Sequence, residues 1–264
     1  KNEKVSSRSI GLDIGLAIGR FFLNTEDLHY GYWVKGKEAN IQNFAEAQET
    51  HSQFIIDHIP DGIKNILDVG SGSGNFARKL LDAGYKVDCI IPSDYLAKVV
   101  KEKLNNQGMT HICKFENFNC DKSYDLIIFS ESFQYVNMAI SLTMIQKILN
   151  HNGHLLICDF FRLDVPEKSL MGGGHLWTEF SEIVGTTNFE LISDQDITDG
   201  TAPTVDFLDR FCQEVLKPIG AMTGEYMESN YPQITRILIW KFKDRLEKIN
   251  RRYLSGDVNG ESFK

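Results

Sequence analysis

The sequence predicts an open α/β fold: a doubly wound parallel sheet with helices on both faces. Short apolar runs typical of buried strands alternate with stretches of helical spacing between residues 61 and 200. The first apolar run, residues 66–69, leads into Gly70, Gly72 and Gly74, and helical spacing resumes at once. This order of strand, tight loop and helix predicts a backbone-lined ligand cradle at the carboxyl end of the first strand.

The remaining elements can be assigned in chain order. Strand-like runs lie at residues 66–69, 86–91, 111–116, 122–130, 152–159 and 189–198. Helical spacing lies at residues 40–59, 76–84, 95–104 and 138–149, and over most of residues 203–254. We therefore predict an N-terminal helical cap or lid segment at residues 1–60 and a ligand-binding core at residues 61–200. Residues 201–264 are predicted to form a helical insertion after the sixth strand that roofs the substrate pocket and leads toward a last strand.

Composition and charge disfavour several classes of protein. Of the 264 residues, 42% are hydrophobic and 24% are charged, as in an ordinary globular protein. The net charge of −8 disfavours a nucleic-acid partner, because an acidic surface repels phosphate backbones. The sequence holds no apolar run of membrane-spanning length, and its five cysteines form no C-x-x-C pair. We expect a cytoplasmic monomer or homodimer that acts on a small molecule.

The glycine loop discriminates between classes of ligand. A phosphate-binding loop would continue with Gly-Lys-Ser/Thr, whereas Gly74 is followed by Asn75. With Asp68 at the strand end, the stretch resembles the D-x-G-x-G-x-G motif of class I S-adenosylmethionine (SAM) methyltransferases, whose sheet is Rossmann-like. Other segments resemble the small-molecule branch of this family, the sterol-, tocopherol-, ubiquinone- and glycine/sarcosine-type enzymes. The alternative is a glycine-rich turn without a ligand.

The resemblance implies SAM as cofactor and S-adenosylhomocysteine as product. It implies cofactor contacts from Asp68, Gly70, Ser71, Gly72 and Gly74. The second strand of the family normally ends in an acidic residue that binds the ribose hydroxyls, but Ile91 stands there, followed by Pro92 and Ser93. Asp94 could substitute, ribose could be held by backbone and water, or the alignment could be shifted by a residue or more.

The third and fourth strands supply further predicted contacts. By the same resemblance Phe115 and Glu116 hold the adenine, although Glu116 could equally be a surface residue. Ser130 and Glu131 end the fourth strand beside the cofactor. Glu131 matches an acidic residue of sterol- and tocopherol-type enzymes and is a candidate general base or a binder of a cationic or hydroxyl group. The alternative is a glutamate favoured by a helix dipole.

Aromatic residues are predicted to line the substrate side. Residues 28–33, L-H-Y-G-Y-W, resemble a segment that lies over the cofactor in glycine/sarcosine- and tocopherol-type enzymes. The predicted substrate contacts are Tyr30, Tyr32, Trp33, Phe133, Tyr135, His175 and Trp177. Such rings attract a sulfonium or ammonium, or they simply pack the cap onto the core. His175 is a candidate base or metal ligand, with a structural role as the alternative, and we predict no bound metal.

The resemblance implies transfer of the SAM methyl group to a small apolar or aromatic acceptor, with Glu131 and His175 as catalytic residues. The alternative is a methyltransferase-like SAM-binding protein or partner subunit without transfer activity, because Ile91 departs from the family pattern. An RNA methyltransferase is disfavoured, since the sequence lacks a basic stripe and carries F-S-E-S at residues 129–132, where N-P-P-Y would be.

Overall fold

Strand β1 (Asn65–Val69) lies at the centre of a five-stranded parallel sheet in the computed structural model, which describes residues 7–164 and 174–249. The other strands of this sheet are β2 (Lys86–Ile90), β3 (Thr110–His111), β4 (Tyr124–Ser130) and β5 (Leu149–Cys158). Their order is β3-β2-β1-β4-β5. The direction of winding reverses between β1 and β4, so the carboxyl ends of these strands flank the crevice where such sheets bind ligands.

The helices connect and flank the strands. They are α1 (Ser7–Ile18), α2 (Ile41–Asp57), α3 (Asn75–Asp82), α4 (Asp94–Leu104), α5 (Met138–Ile148), α6 (Trp177–Val184), α7 (Thr198–Phe211), α8 (Lys217–Asn230) and α9 (Pro232–Ile249). Asn40, Ser93 and Asn137 begin α2, α4 and α5, and each side chain accepts a hydrogen bond of 3.0–3.2 Å from the backbone N–H three residues on.

Alternate residues of each strand face opposite sides of the sheet. Ile66 of β1 and Leu126 of β4 pack in one buried cluster with residues of α3 and α4. Leu67 and Ile127, their neighbours along the chain, pack in a second cluster with residues of α5. Helices thus cover both faces, which confirms the predicted doubly wound α/β fold.

Two predicted strands differ from the structure. The third is confined to β3, and Phe115–Asn117 form a short 3₁₀ turn, because β3 lies at the sheet edge with a partner on one side only. The sixth strand predicted at residues 189–198 is wrong: residues 189–197 have no regular structure and Thr198 begins α7. Leu191 and Ile192 are 64% and 76% exposed, so their apolar pattern does not reflect a buried strand.

The chain forms two compact units. The first contains the described residues 7–164 and 174–195, with the sheet and a short parallel pair formed by β6 (Phe161–Arg162) and β7 (His175–Leu176). The second contains the described residues 196–249 and is helical from Thr198 onward, with a break at Tyr231. The boundaries at residues 60 and 200, and the roofing role of the second unit, stay predictions.

Some predicted features lie outside the described residues. These are most of the glycine-rich loop before His175, at residues 165–173, and the expected last strand beyond residue 254. Among the helices described, none is both long and apolar enough to cross a membrane.

Candidate functional site

The glycine loop leaves β1 at the crevice. Gly70, Gly72 and Gly74 have φ values of 80°, 54° and 77°, which residues with side chains rarely adopt. A Cβ on Gly70 would lie 2.5 Å from the Cβ of Ser132, so the loop packs closely against the segment that follows β4. The N–H of Gly70 donates to the carbonyl of Ile90 at 2.8 Å, which ties the loop to β2.

Asp68 is buried beneath this loop. The Oδ2 atom of its side chain has no hydrogen-bond partner among the described residues, while the hydroxyl of Ser71 donates to the Asp68 carbonyl at 2.9 Å. Burial raises the pKa of Asp68 to about 7, because the carboxylate loses its hydration. A buried acceptor without a partner, next to a glycine loop, is a group that a bound ligand would satisfy.

The predicted ribose residues take structural positions. The Ile91 side chain is 3% exposed and packs in the cluster that contains α3 and α4 residues. Ser93 caps α4, whereas Pro92 and Asp94 are exposed. Contact between these residues and a ribose stays a prediction.

The predicted adenine residues also have partners within the protein. Phe115 is buried and packs edge-to-face on Phe129, with ring centroids 5.3 Å apart. The Oε1 atom of Glu116 accepts a hydrogen bond of 2.9 Å from the N–H of Asn137, at the start of α5. At the end of β4, the buried hydroxyl of Ser130 has no partner within the described part of the chain. A role for all three in cofactor binding stays a prediction.

The aromatic segment after Leu28 is anchored on α2. A Cβ on Gly31 would lie 2.6 Å from the Cβ of Ala47, so only glycine allows this close approach. The N–H of Tyr32 donates to the Ala47 carbonyl at 2.8 Å. Leu28 reaches the glycine loop, since a Cβ on Gly72 would lie 3.5 Å from its side chain. The segment therefore lies over the loop.

The three aromatic residues of this segment differ in their surroundings. Trp33 is 5% exposed and packs on Phe44, and the Tyr32 ring stacks on another ring of α2 at 5.2 Å. The Tyr30 ring meets Phe160 edge-to-face at 4.8 Å. Packing of the segment onto the core therefore accounts for Trp33 and Tyr32, whereas Tyr30 adjoins the next group of residues.

Glu131 directly follows β4 and has a positive φ of 52°, a strained conformation for glutamate. Its side chain is 11% exposed, and its Oε1 accepts a hydrogen bond of 2.8 Å from the N–H of Tyr30. Burial raises the pKa of Glu131 to about 8, although nearby His29 and the Tyr30 N–H oppose the shift. The carboxyl group can therefore exchange a proton near neutral pH.

Two histidines face Glu131. The Nε2 atom of His51 lies 3.9 Å from Glu131 Oε1 and 3.5 Å from the Sγ of Cys158. The His29 ring stacks on the His51 ring at 4.7 Å, and its Nδ1–H donates to the Tyr30 carbonyl at 2.8 Å. Burial, reinforced by His29, holds the pKa of His51 well below its usual range, so its imidazole is neutral.

Charged groups complete the buried cluster behind His29. The Asp27 carboxylate lies 3.5 Å from His29 Nε2 and 3.0 Å from Lys79 Nζ. Burial alone would raise the pKa of Asp27, but the imidazole and the ammonium outweigh burial and lower it. Burial alone would likewise lower the pKa of His29, and Asp27 raises it. The hydroxyl of Ser52 lies within hydrogen-bond distance of both His29 and Lys79.

Asp159 follows β5 next to this cluster. Its carboxylate accepts hydrogen bonds of 2.7–3.0 Å from the backbone and side chain of Gln134 and from the N–H of Phe160. Burial raises its pKa to about 6, although these donors oppose the shift.

The remaining predicted substrate and catalytic residues belong to a separate group of aromatic side chains, which does not include Glu131. Phe133 is fully buried and contacts the His175 and Phe180 rings at 5.3 and 5.8 Å. The Nε2 of His175 lies 3.0 Å from the Phe133 carbonyl, to which it donates. Trp177 packs on Phe180, whereas Tyr135 is 53% exposed. A structural role, the alternative given for His175, accounts for the contacts of His175 and Phe133. Their roles in catalysis and substrate binding stay predictions.

Sequence reasoning missed His51, His29, Asp27 and Lys79. They come from three separate segments, and the fold brings them to Glu131. One signal was available in α2, whose buried face carries Gln48, His51 and Ser52 between apolar residues. Polar side chains on the apolar face of a helix need buried partners, which indicates a polar site nearby.

Comparison with known proteins agrees with this geometry. Residues 67–157 match the family model described as "Methyltransferase domain". A malonyl-[acyl-carrier protein] O-methyltransferase of Ilyobacter polytropus is 28% identical over 136 residues, covering 45% of this chain and 51% of the relative. The chain thus spans about half the length of the curated relatives it matches first.

Solved structures resemble a larger part of the chain. Geranyl diphosphate C-methyltransferase from Streptomyces coelicolor has a TM-score of 0.63 at 15% identity, over 78% of this chain and 83% of that one. The cyclopropane synthase MmaA2 from Mycobacterium tuberculosis has a TM-score of 0.64 at 18% identity, over 96% of both chains. At these identities the likeness establishes the fold.

Proposed function

We propose that this chain, whose residues 67–157 match the "Methyltransferase domain" model, is a class I methyltransferase that transfers the SAM methyl group to a small molecule. The observation that supports the proposal best is the buried Asp68 Oδ2 atom beneath the glycine loop, which has no partner among the described residues, with Glu131 leaving the neighbouring strand β4. The names of the similar proteins point to different substrates, so the acceptor is argued from this chain alone.

The cofactor side fits SAM. Asp68 Oδ2 offers a buried acceptor for a donor of the ligand, and Gly70, Gly72 and Gly74 let a ligand approach the loop backbone without a Cβ in the way. We propose that Pro92, Ser93, Phe115, Glu116 and Ser130 complete the cofactor site, together with the backbone at Ile91. Bound SAM supplies an electrophilic methyl group on a sulfonium; the protein positions the reactants and excludes water.

We place the methyl acceptor beside Glu131 and Tyr30. The Glu131 side chain is almost buried and accepts a hydrogen bond from the Tyr30 N–H. Burial raises its pKa to about 8. It can bind a hydroxyl or ammonium group of the acceptor. It can also take a proton from that group, and general-base catalysis of this kind raises the rate by roughly 10²–10⁴-fold. The adjoining Tyr30 and Phe160 rings suit an apolar or aromatic acceptor.

We also propose that the protein is a cytoplasmic monomer or homodimer. Light scattering measures the mass of the protein in solution and so tests the oligomeric state.

The test has two stages. Calorimetry with SAM measures cofactor binding, and radiolabelled methyl transfer from SAM to a metabolite extract measures turnover. Glu131→Gln should keep SAM affinity and lose most of the turnover, because the shape is retained and the charge is removed. Glu46→Gln, an exposed glutamate of α2, is the matched control and should keep both. Turnover that falls only in step with SAM affinity would contradict the proposed role of Glu131.

One observation favours a second candidate, a SAM-binding protein without transfer activity. Ile91 stands in the core where the family has an acidic residue for ribose. Stoichiometric SAM binding without turnover on any fraction of the extract would favour this candidate.

A further inference from the structure

We propose that His29, His51 and Glu131 bind a divalent transition-metal cation of the Zn²⁺ type. One donor atom from each of the three residues lies within 4.8 Å of the other two. Two imidazoles and one carboxylate are a donor set of catalytic zinc sites, in which three protein ligands leave a fourth position open. This inference goes beyond the proposed methyl transfer and does not depend on it.

The separations suit closure around a cation. Zinc binds nitrogen and oxygen donors at about 2.0–2.2 Å, so donors in a tetrahedral site lie about 3.4 Å apart. His51 Nε2 and Glu131 Oε1 are 3.9 Å apart, and no pair among the three exceeds 4.8 Å. Closure of the site would therefore bring donor atoms closer to one another by about 1.4 Å at most.

The backbone of Tyr30 orients two of the three ligands. Its carbonyl accepts the Nδ1–H of His29 at 2.8 Å, so the coordinating nitrogen would be Nε2, which would have to lose its proton and exchange its contacts with Asp27 and the Ser52 hydroxyl for the cation. Its N–H donates to Glu131 Oε1 at 2.8 Å. Histidine ligands of metals almost always donate their other ring N–H to a carbonyl or carboxylate in this way. One residue therefore provides outer contacts for both an imidazole and the carboxylate.

The surroundings of His51 suit a cation. Its side chain is 1% exposed, and its Nδ1 has no partner among the residues described. Its Nε2 faces the Glu131 carboxylate and the Cys158 thiol. A neutral imidazole whose nitrogen points at a carboxylate gains a strong interaction only when a cation or proton lies between them.

Neighbouring charges leave room for the cation. The Lys79 ammonium acts on His51, but it is neutralised by Asp27 at 3.0 Å and Glu49 at 2.8 Å. Asp27 also lies 3.5 Å from His29 Nε2, and Asp159 adds negative charge near Glu131. The balance of charge around the trio is therefore negative, as a divalent cation requires.

A cation here would define the role of Glu131. The carboxylate would hold the metal, and the open fourth position would take water or a donor atom of the methyl acceptor. Turnover alone does not distinguish this role from proton transfer by Glu131, because Glu131→Gln would lower the rate in either case. Metal uptake without SAM or acceptor separates the two.

The experiment is titration of the chelator-treated full chain with Co²⁺, followed by visible absorption and equilibrium dialysis. We expect one Co²⁺ per chain with the intense d–d bands of a four-coordinate site. His29→Gln, His51→Gln and Glu131→Gln should each weaken binding at least tenfold. His151→Ala, which removes an exposed histidine, should bind like the parent protein.

Zn²⁺ should raise the unfolding temperature of the parent chain and of His151→Ala, and this rise should be lost in the three ligand variants that fold by circular dichroism. The three substitutions are made separately, so that a single variant that fails to fold does not decide the result. The proposal is overturned if the parent chain binds no stoichiometric Co²⁺, or if folded ligand variants bind it as the parent does.

Discussion

The two sides of the crevice are built in different ways. On the cofactor side, one continuous segment from β1 to α3 supplies the glycine loop and Asp68, and its shape follows from backbone conformation. The neighbouring polar cluster of Asp27, His29, His51, Lys79 and Glu131 is instead assembled from side chains of separate segments, with Lys79 coming from α3 itself. The first kind of site tolerates few changes of residue size, and the second depends on the balance of buried charge.

Ile91→Asp should have the largest effect and tests the cofactor side. The substitution would bury a carboxylate in the core cluster, at a cost of about 3 kcal/mol or more in the free energy of unfolding. Ile91→Val, which removes one methyl group, should cost only about 1 kcal/mol. Urea unfolding measures both. Equal stability of the Asp variant and the parent would mean that Ile91 faces the ligand instead of the core.

Lys79→Met should have the next largest effect and tests the cluster. The change keeps the aliphatic stem but leaves the buried Asp27 carboxylate facing His29 alone, at about 2–3 kcal/mol. Lys37→Met removes an ion pair to Glu46 that is well exposed, and should cost less than about 1 kcal/mol. If urea unfolding gives the same loss for the two variants, buried charge does not stabilise the cluster side.

Gly70→Ala measures close packing in the glycine loop. An added Cβ would strain the positive φ and would also meet Ser132 at 2.5 Å. Gly84 has a φ of 96° with nothing within 4 Å of the added Cβ, so Gly84→Ala introduces the strain without the collision. We expect the loop variant to be less stable than the Gly84 variant by about 1–2 kcal/mol. Matching unfolding free energies would show that the collision relaxes freely.

Asp68→Asn should have the smallest effect, visible in the pH dependence of stability. The pKa of Asp68 is raised from 3.8 to about 7 on folding, so between these values the folded state holds a proton that the unfolded state has lost. Its contribution is complete below about pH 4 and is lost as the pH rises toward about 7. Between pH 6 and pH 7 the parent should lose about 1 kcal/mol more than Asp68→Asn. Parallel curves would show that Asp68 is ionised throughout.

The sequence predicts the cofactor side much better than the cluster. Asp68 and the three glycines are adjacent in the chain, and local conformational rules connect them to a strand and a helix. The strands at the edge of the sheet were harder to predict. β3 is only two residues long, and residues 189–197 carry an apolar pattern but do not pair with a neighbouring strand. Whether a pattern becomes a strand depends on partners that are distant in sequence.

The cluster could be predicted only in part, for the same reason. Glu131 follows an apolar run at a position that the fold makes special, so the strand pattern identifies it. His51 looks like one polar residue among several in α2, and only the packing of α2 against the aromatic segment turns it toward Glu131. His29 lies inside a recognisable aromatic motif, but its function depends on the ring it stacks against.

The hydrogen bond from Tyr30 to Glu131 also constrains the order in which the nascent chain can fold. The two residues are 101 positions apart, so at about 5–20 residues per second the ribosome needs about 5–20 s to add Glu131 after Tyr30. For that interval the aromatic segment can settle on α2, which follows it closely, but it has no β4 to receive it. The histidine–glutamate site can therefore form only after β4 has been synthesised, although its two histidines can meet earlier.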